Sequence, residues 1–172
     1  MIPISSAISG GLIWSKIPHK NGFELKREGE VIASLQQKSC WSMEFQAESE
    51  RERWKFRRTG FWRPATEIVD ADSDMRIAIL KPNWGGGGAL EFFDGQIFRV
   101  TSKGFLRPVW SVLTDGGQPV LKIRSREKTV ELSNQSHLPE GRLILLATFV
   151  WYMVRQAAQD AASAAVVVVA IS

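Results

Sequence analysis

The chain has 172 residues, of which 44% are apolar and 23% charged, and its formal net charge is +4. That length sustains one domain with its own core and excludes two comfortable ones, and the composition excludes a disordered chain. The mild positive excess attracts anionic partners but lacks the density of a dedicated nucleic-acid binder.

Seven tryptophans and nine phenylalanines against one tyrosine predict a large, dry aromatic interior. The single cysteine, Cys40, excludes an intramolecular disulfide and fits a reducing compartment. It is expected as a small buried apolar residue rather than a reactive thiol. The first residues, Met1 to Gly11, carry neither the basic stretch nor the long apolar stretch of a secretory signal. The expectation is therefore a cytoplasmic protein.

From Phe23 to Leu132 short apolar-alternating runs are broken by turn signals. Phe23–Arg27 and Val31–Leu35 flank Glu28-Gly29-Glu30. Trp41, Met43 and Phe45 alternate with polar neighbours, as do Trp54 and Phe56. Ala65–Val69 and Arg76–Leu80 flank an Asp-rich turn. Ala89–Phe93 and Gln96–Thr101 flank Asp94-Gly95, a strong hairpin signal. Val109–Leu113 and Val120–Arg124 flank Thr114 to Gln118, and Thr129–Leu132 is one more run. Period-two alternation with regular turns predicts an antiparallel sheet that closes or sandwiches. Ile68-Val69-Asp70 and Val112 to Asp115 open two similar strand–turn–strand stretches, which ordinary hairpin resemblance accounts for.

The pattern then changes. Pro139-Glu140 predicts a first helical turn, with proline at N1 and a carboxylate near the positive end of the dipole. Leu143, Leu146, Ala147, Val150, Trp151 and Val154 form one face of the following helix. Ile144, Leu145, Thr148, Phe149, Tyr152 and Met153 form the other, and both are apolar. A surface helix shows one polar side. A membrane span needs about twenty apolar residues, and this run stops at Arg155. A bundle needs partner helices, and the remaining chain reads as strands. A closed antiparallel β-barrel whose lumen holds the helix is left. Twelve helical residues span about 18 Å, close to the wall height of tilted strands of six or seven residues. The prediction is one domain over 1–172: about 11–12 strands over 23–132, a central helix over 139–160, and a tail over 161–172.

This element order, with Leu138-Pro139-Glu140-Gly141-Arg142-Leu143 running into a hydrophobic helix, resembles the tubby-like superfamily. That grouping includes the tubby C-terminal domain, the phospholipid scramblases and the LURP-one-related proteins. The resemblance covers Phe23 to about Asp160. It implies a barrel around a central helix and, in some members, binding of phosphoinositides or other membrane lipids. It carries no lipid-binding residue, calcium ligand or palmitoylated cysteine cluster onto this chain.

Among candidate sites, Arg51, Arg53, Lys55 and Arg57 stand at alternate positions. In a strand all four share one face, with Trp54 and Phe56 turned into the core. This basic stripe, extended by Arg58 and Arg63, fits an anionic partner: phospholipid head groups, an acidic protein or, less well, nucleic-acid phosphates. A solvated face neutralised by Glu48, Glu50 or neighbouring strands is the plainer account. Asp70, Asp72 and Asp74 suggest a calcium loop, but Met75 and Lys81 stand where that loop needs glycine and glutamate, so an acidic hairpin turn is expected. Trp84 precedes Gly85 to Gly88, a loop at the barrel rim whose alternative use is to admit a ligand stacked on the indole. His19 and His137 have no metal spacing, and Glu91 and Asp94 show no sign of an acid–base pair. No metal or cofactor is implied.

The functional expectation is a non-enzymatic binding or scaffold module, recruited to anionic phospholipid through the stripe and peripheral at the membrane. The alternatives are a small-ligand carrier or enzyme with a pocket at the rim, and a structural protein self-associating through Val166 to Val169. Arg155, Gln156, Gln159 and Asp160 interrupt the apolar stretch that runs from the helix into the tail, so the tail is expected to be a terminal strand or helix extension packing on the protein or on a second copy rather than to span a membrane.

Overall fold

The structure is a computed structural model and describes residues 11–39, 42–60 and 64–171. Cys40, Trp41 and Arg63 lie outside the described residues. Twelve strands are followed by one helix: β1 (Leu12–Lys16), β2 (Gly22–Arg27), β3 (Glu30–Gln37), β4 (Glu44–Ser49), β5 (Arg53–Thr59), β6 (Ala65–Asp70), β7 (Arg76–Pro82), β8 (Gly88–Phe92), β9 (Ile97–Lys103), β10 (Val109–Thr114), β11 (Pro119–Arg124), β12 (Thr129–Leu132) and α1 (Glu140–Ile171). Each strand pairs antiparallel with the next, and β1 pairs with β12, so the sheet closes on itself. Closure removes the two edges that an open sheet would expose. The expected closed barrel around a helix is the fold.

One strand was not predicted. β1 precedes the first run read from the sequence, and it completes the wall between β2 and β12. Leu12 and Trp14 point inward and Ile13 outward. Register shifts at Leu25/Lys26, Ile68/Val69 and Val112/Leu113 mark bulges. Such bulges add local twist, which helps a wall curve shut.

The lumen is filled. Leu145, Leu146, Ala147, Phe149, Val150, Trp151 and Tyr152 are all buried, so neighbouring faces of α1 meet the wall together. Phe149 packs edge-on to Phe56, Tyr152 packs edge-on to Phe45, and Trp151 stacks on Trp14. Thr148, the polar residue among them, donates its hydroxyl proton to the Ile144 carbonyl at 2.7 Å. That bond satisfies the hydroxyl without a partner from the wall.

Three arginine contacts fix the helix lengthwise. Near its start Arg142 donates to Asp94 at 2.6 Å and to Gln96 at 3.0 Å, and lies 3.8 Å from the centroid of Phe92. Arg155 lies over the Phe23 ring at 4.9 Å, and burial lowers its pKa. At the far end Arg58 of β5 holds Asp160 through two bonds of 2.8 and 3.3 Å.

The helix does not stop near 160. It continues to Ile171, and Ala161 to Val166, Val169 and Ala170 are exposed. From Ala161 to Val166 the helix therefore projects beyond the barrel wall. Its alanines carry the highest helix propensity, and no glycine or proline follows Arg142 to end the turn. No helix among the described residues is long and apolar enough to cross a membrane.

Candidate functional site

An up-and-down barrel has two ends, and the chain treats them differently. α1 enters beside the β8–β9 turn, where Arg142 meets Asp94. It leaves beside the β5–β6 and β3–β4 connections, where Asp160 meets Arg58 and Gln159 donates to Gln37 at 3.1 Å. At the entry end, the turns after β2, β4, β6, β8 and β10 carry Glu28, Glu50, Glu52, Asp72, Asp74, Asp94 and Asp115, with Arg51 the one basic residue. At the exit end, the described connections carry Lys20, Lys38, Arg107, Arg126 and Lys128 against Glu127. All five of those cations are exposed, and none makes an ion pair among the described residues.

Among the described barrel residues, the most exposed large apolar side chains also lie at the exit end. Trp84 at the tip of the β7–β8 loop is fully exposed, and Phe105 and Leu106 in the β9–β10 loop are 96% and 84% exposed. The two loops border the same hairpin, β8–β9. The projecting part of α1 leaves from this end as well.

The predicted basic stripe lies elsewhere. Arg53, Lys55 and Arg57 do face outward from β5, with Trp54 and Phe56 turned inward. Arg51 does not share that face, because it lies in the turn between Ser49 and Arg53, where the chain reverses and strand alternation does not apply. Arg58 does not extend the stripe either. The next position along a strand faces the opposite side, and there Arg58 meets Asp160; that bond raises its pKa against the opposing effect of burial.

The three outward cations have acidic neighbours. Arg53 pairs with Asp72, Lys55 with Asp74 at 3.5 Å, and Arg57 with Glu67 at 3.2 Å. In register, Glu48 stands opposite Arg53 and Glu44 opposite Arg57. Exposed pairs of this kind add little stability, about 0–1 kcal/mol, but they offset the local positive field. The three aspartates form a turn. Asp70 accepts from the Ser73 N–H at 2.7 Å, the Ser73 hydroxyl at 2.8 Å and the Asp72 N–H at 3.0 Å, and the Ser73 bonds lead in lowering its pKa.

The four glycines after Trp84 split by role. Cβ atoms added at Gly87 and Gly88 would overlap the carbonyl oxygens of Val100 and Lys81, and Gly86 has a φ of +88°. Beside this loop a crevice of about 290 Å³ opens at the barrel rim, between α1 and the ends of β5, β6, β7 and β10. Gly86 and Gly87 line it. Trp84 does not; its ring points into solvent.

The remaining candidates stay apart. His19 lies at the exit end and His137 at the entry end. Glu91 is engaged by Lys81 at 2.9 Å, and Asp94 by Arg142. No cluster of metal-ligating side chains occurs among the described residues. The sequence reading missed the separation of charge between the two ends. The turn residues contain it, but it emerges only when the connections are sorted alternately. Comparison with protein-family models, with curated proteins and with solved structures finds no match to this chain.

Proposed function

We propose that the protein is a non-enzymatic binding module that docks end-on to an anionic lipid surface through the exit end of its barrel. The observation that carries this reading is the pairing of a basic rim that makes no ion pair among the described residues with Trp84, Phe105 and Leu106 at the same end. Cations near an anionic bilayer each contribute about 1 kcal/mol of attraction. Aromatic and aliphatic tips add burial in the interfacial layer. The filled lumen leaves the outer surface as the place for recognition. The likeness to the tubby-like architecture supports the same reading. The stripe on β5 is a secondary contact in this scheme, because acidic neighbours already engage it.

Vesicle sedimentation tests the proposal. Wild-type protein is expected to bind phosphatidylcholine vesicles containing phosphatidylserine, less at higher salt, and to ignore pure phosphatidylcholine. Replacing Lys20, Lys38, Arg107, Arg126 and Lys128 by glutamine should weaken binding by more than tenfold. Neutralising Arg51, Arg53, Lys55 and Arg57 should weaken it less. Equal sedimentation with both vesicle types, or a larger loss from the β5 variant, would overturn it.

A further inference from the structure

Among the described residues, three buried polar side chains meet in one place. Thr66 on β6 is 6% exposed, Tyr152 on α1 1% and Gln156, one helical turn later, 5%. All three line the crevice beside the glycine loop. The hydroxyl of Tyr152 has no hydrogen bond of normal geometry, although Thr66 is its neighbour. Tyr152 is the group that approaches the Thr66 hydroxyl, and the Gln156 amide has no hydrogen bond among the described residues. Even a bond closed between the two hydroxyls leaves one hydroxyl proton and the whole amide unmatched. Thr148 is satisfied by its own helix, and the other unpaired buried polar atoms, the indole N–H groups of Trp14 and Trp151 and the hydroxyls of Ser15 and Ser136, do not line this crevice.

Leaving a polar group buried without a partner is costly, and native proteins pair more than nine in ten of them. Unpaired groups that converge on one opening indicate a partner from outside the chain. The other walls of the crevice are apolar: Leu80, Pro82, Trp110 and Met153. At its mouth Arg58 and Asp160 neutralise each other. No unpaired charge faces inward, so a charged head would lose its hydration without compensation.

We infer that the crevice is a binding site for a small uncharged amphiphile, with an apolar ring body and a head that both donates and accepts hydrogen bonds. Thr66, Tyr152 and Gln156 bind the head, and Leu80, Trp110 and Met153 cover the body. The volume of about 290 Å³ is roughly twice that of a cavity known to hold benzene, which sets the upper size near two fused rings. The site lies on the same rim as the proposed lipid contacts, beside the β7–β8 loop, but it uses other side chains, and its test does not depend on lipid binding.

The probe is 2-naphthol, with naphthalene and 2-naphthoate as comparisons, followed by calorimetry and by NMR of the Gln156 side-chain amide and the Trp110 indole N–H. Naphthol is expected to bind, to shift both signals, and to bind at least threefold more tightly than either comparison. Gln156→Leu, Thr66→Val and Tyr152→Phe should each weaken it about three- to tenfold, the scale of one lost hydrogen bond. Each should leave the melting temperature of the free protein unchanged or higher, because each removes an unpaired group. No binding at millimolar naphthol, equal affinity for naphthalene, or a lower melting temperature in all three variants would overturn the proposal. The last result would show that the protein already satisfies these groups.

Discussion

Trp14 on β1 and Trp151 on α1 stack with ring centroids 5.5 Å apart and planes 7° from parallel. Phe23 on β2 meets the same Trp151 edge-on at 5.5 Å. One helical side chain thus bridges the strand that closes the wall and the strand beside it. Trp151→Ala is expected to cost about 3–5 kcal/mol, the usual scale for emptying an aromatic site in a core. Trp84→Ala, at a fully exposed indole, should stay within about 0.5 kcal/mol of wild type. Denaturant titration of the two variants checks both. Comparable losses would mean that the stack does not hold the helix in the barrel.

The helix was legible because Leu143 to Val154 has no polar side, and the eleven runs from Phe23 to Leu132 alternate too regularly for another class. β1 was not. It has two inward positions, Leu12 and Trp14, and the nearby glycines and Pro18 resemble a loop. It pairs along its whole length with β2 in a local hairpin and closes the wall through two positions on β12, more than a hundred residues away, which no local pattern encodes. Arg58 was misread for a related reason. An arginine at an inward position breaks the alternation until Asp160 is known to arrive there, 102 residues later in the chain. The stripe was visible, but its counter-charges were not, since Asp72 and Asp74 become its neighbours only when β6 pairs with β5. The tail was cut short at the first polar cluster, whereas helix propensity carries it on to Ile171.

The glycine run gives a test of local geometry. At Gly87 a methyl group would collide with the backbone carbonyl of Val100, and backbone in a paired strand cannot give way as a side-chain tip can. Gly87→Ala is expected to cost about 3 kcal/mol or more, at the upper end of overpacking penalties. Gly86→Ala should cost about 1–2 kcal/mol, because its φ of +88° strains any residue with a Cβ. Gly85→Ala meets only the Asn83 side chain, at 3.5 Å, and should be nearly neutral. Thermal melts that rank the three otherwise would mean that the loop does not lie against β9 as described.

Tyr152 offers a probe of the packed lumen that no other residue contaminates, because it is the only tyrosine in the chain. Burial raises its pKa above the ordinary 10.0; proximity to Thr66 and Arg58 opposes the shift without cancelling it. The fold therefore favours the neutral phenol. The stability gained this way is fully present below the unfolded-state pKa and is lost as pH rises through the raised folded-state value. Phenolate absorbance should accordingly be absent from the folded protein at the pH where free tyrosine is half ionised. It should appear together with loss of the far-ultraviolet circular dichroism of the barrel as the pH climbs further. Tyr152→Phe removes the group that must ionise, so its alkaline unfolding midpoint should move to higher pH while its neutral-pH stability holds. Ordinary phenolate titration in a protein that keeps its circular dichroism would show that water reaches the hydroxyl freely, and that α1 does not seal the lumen at Tyr152.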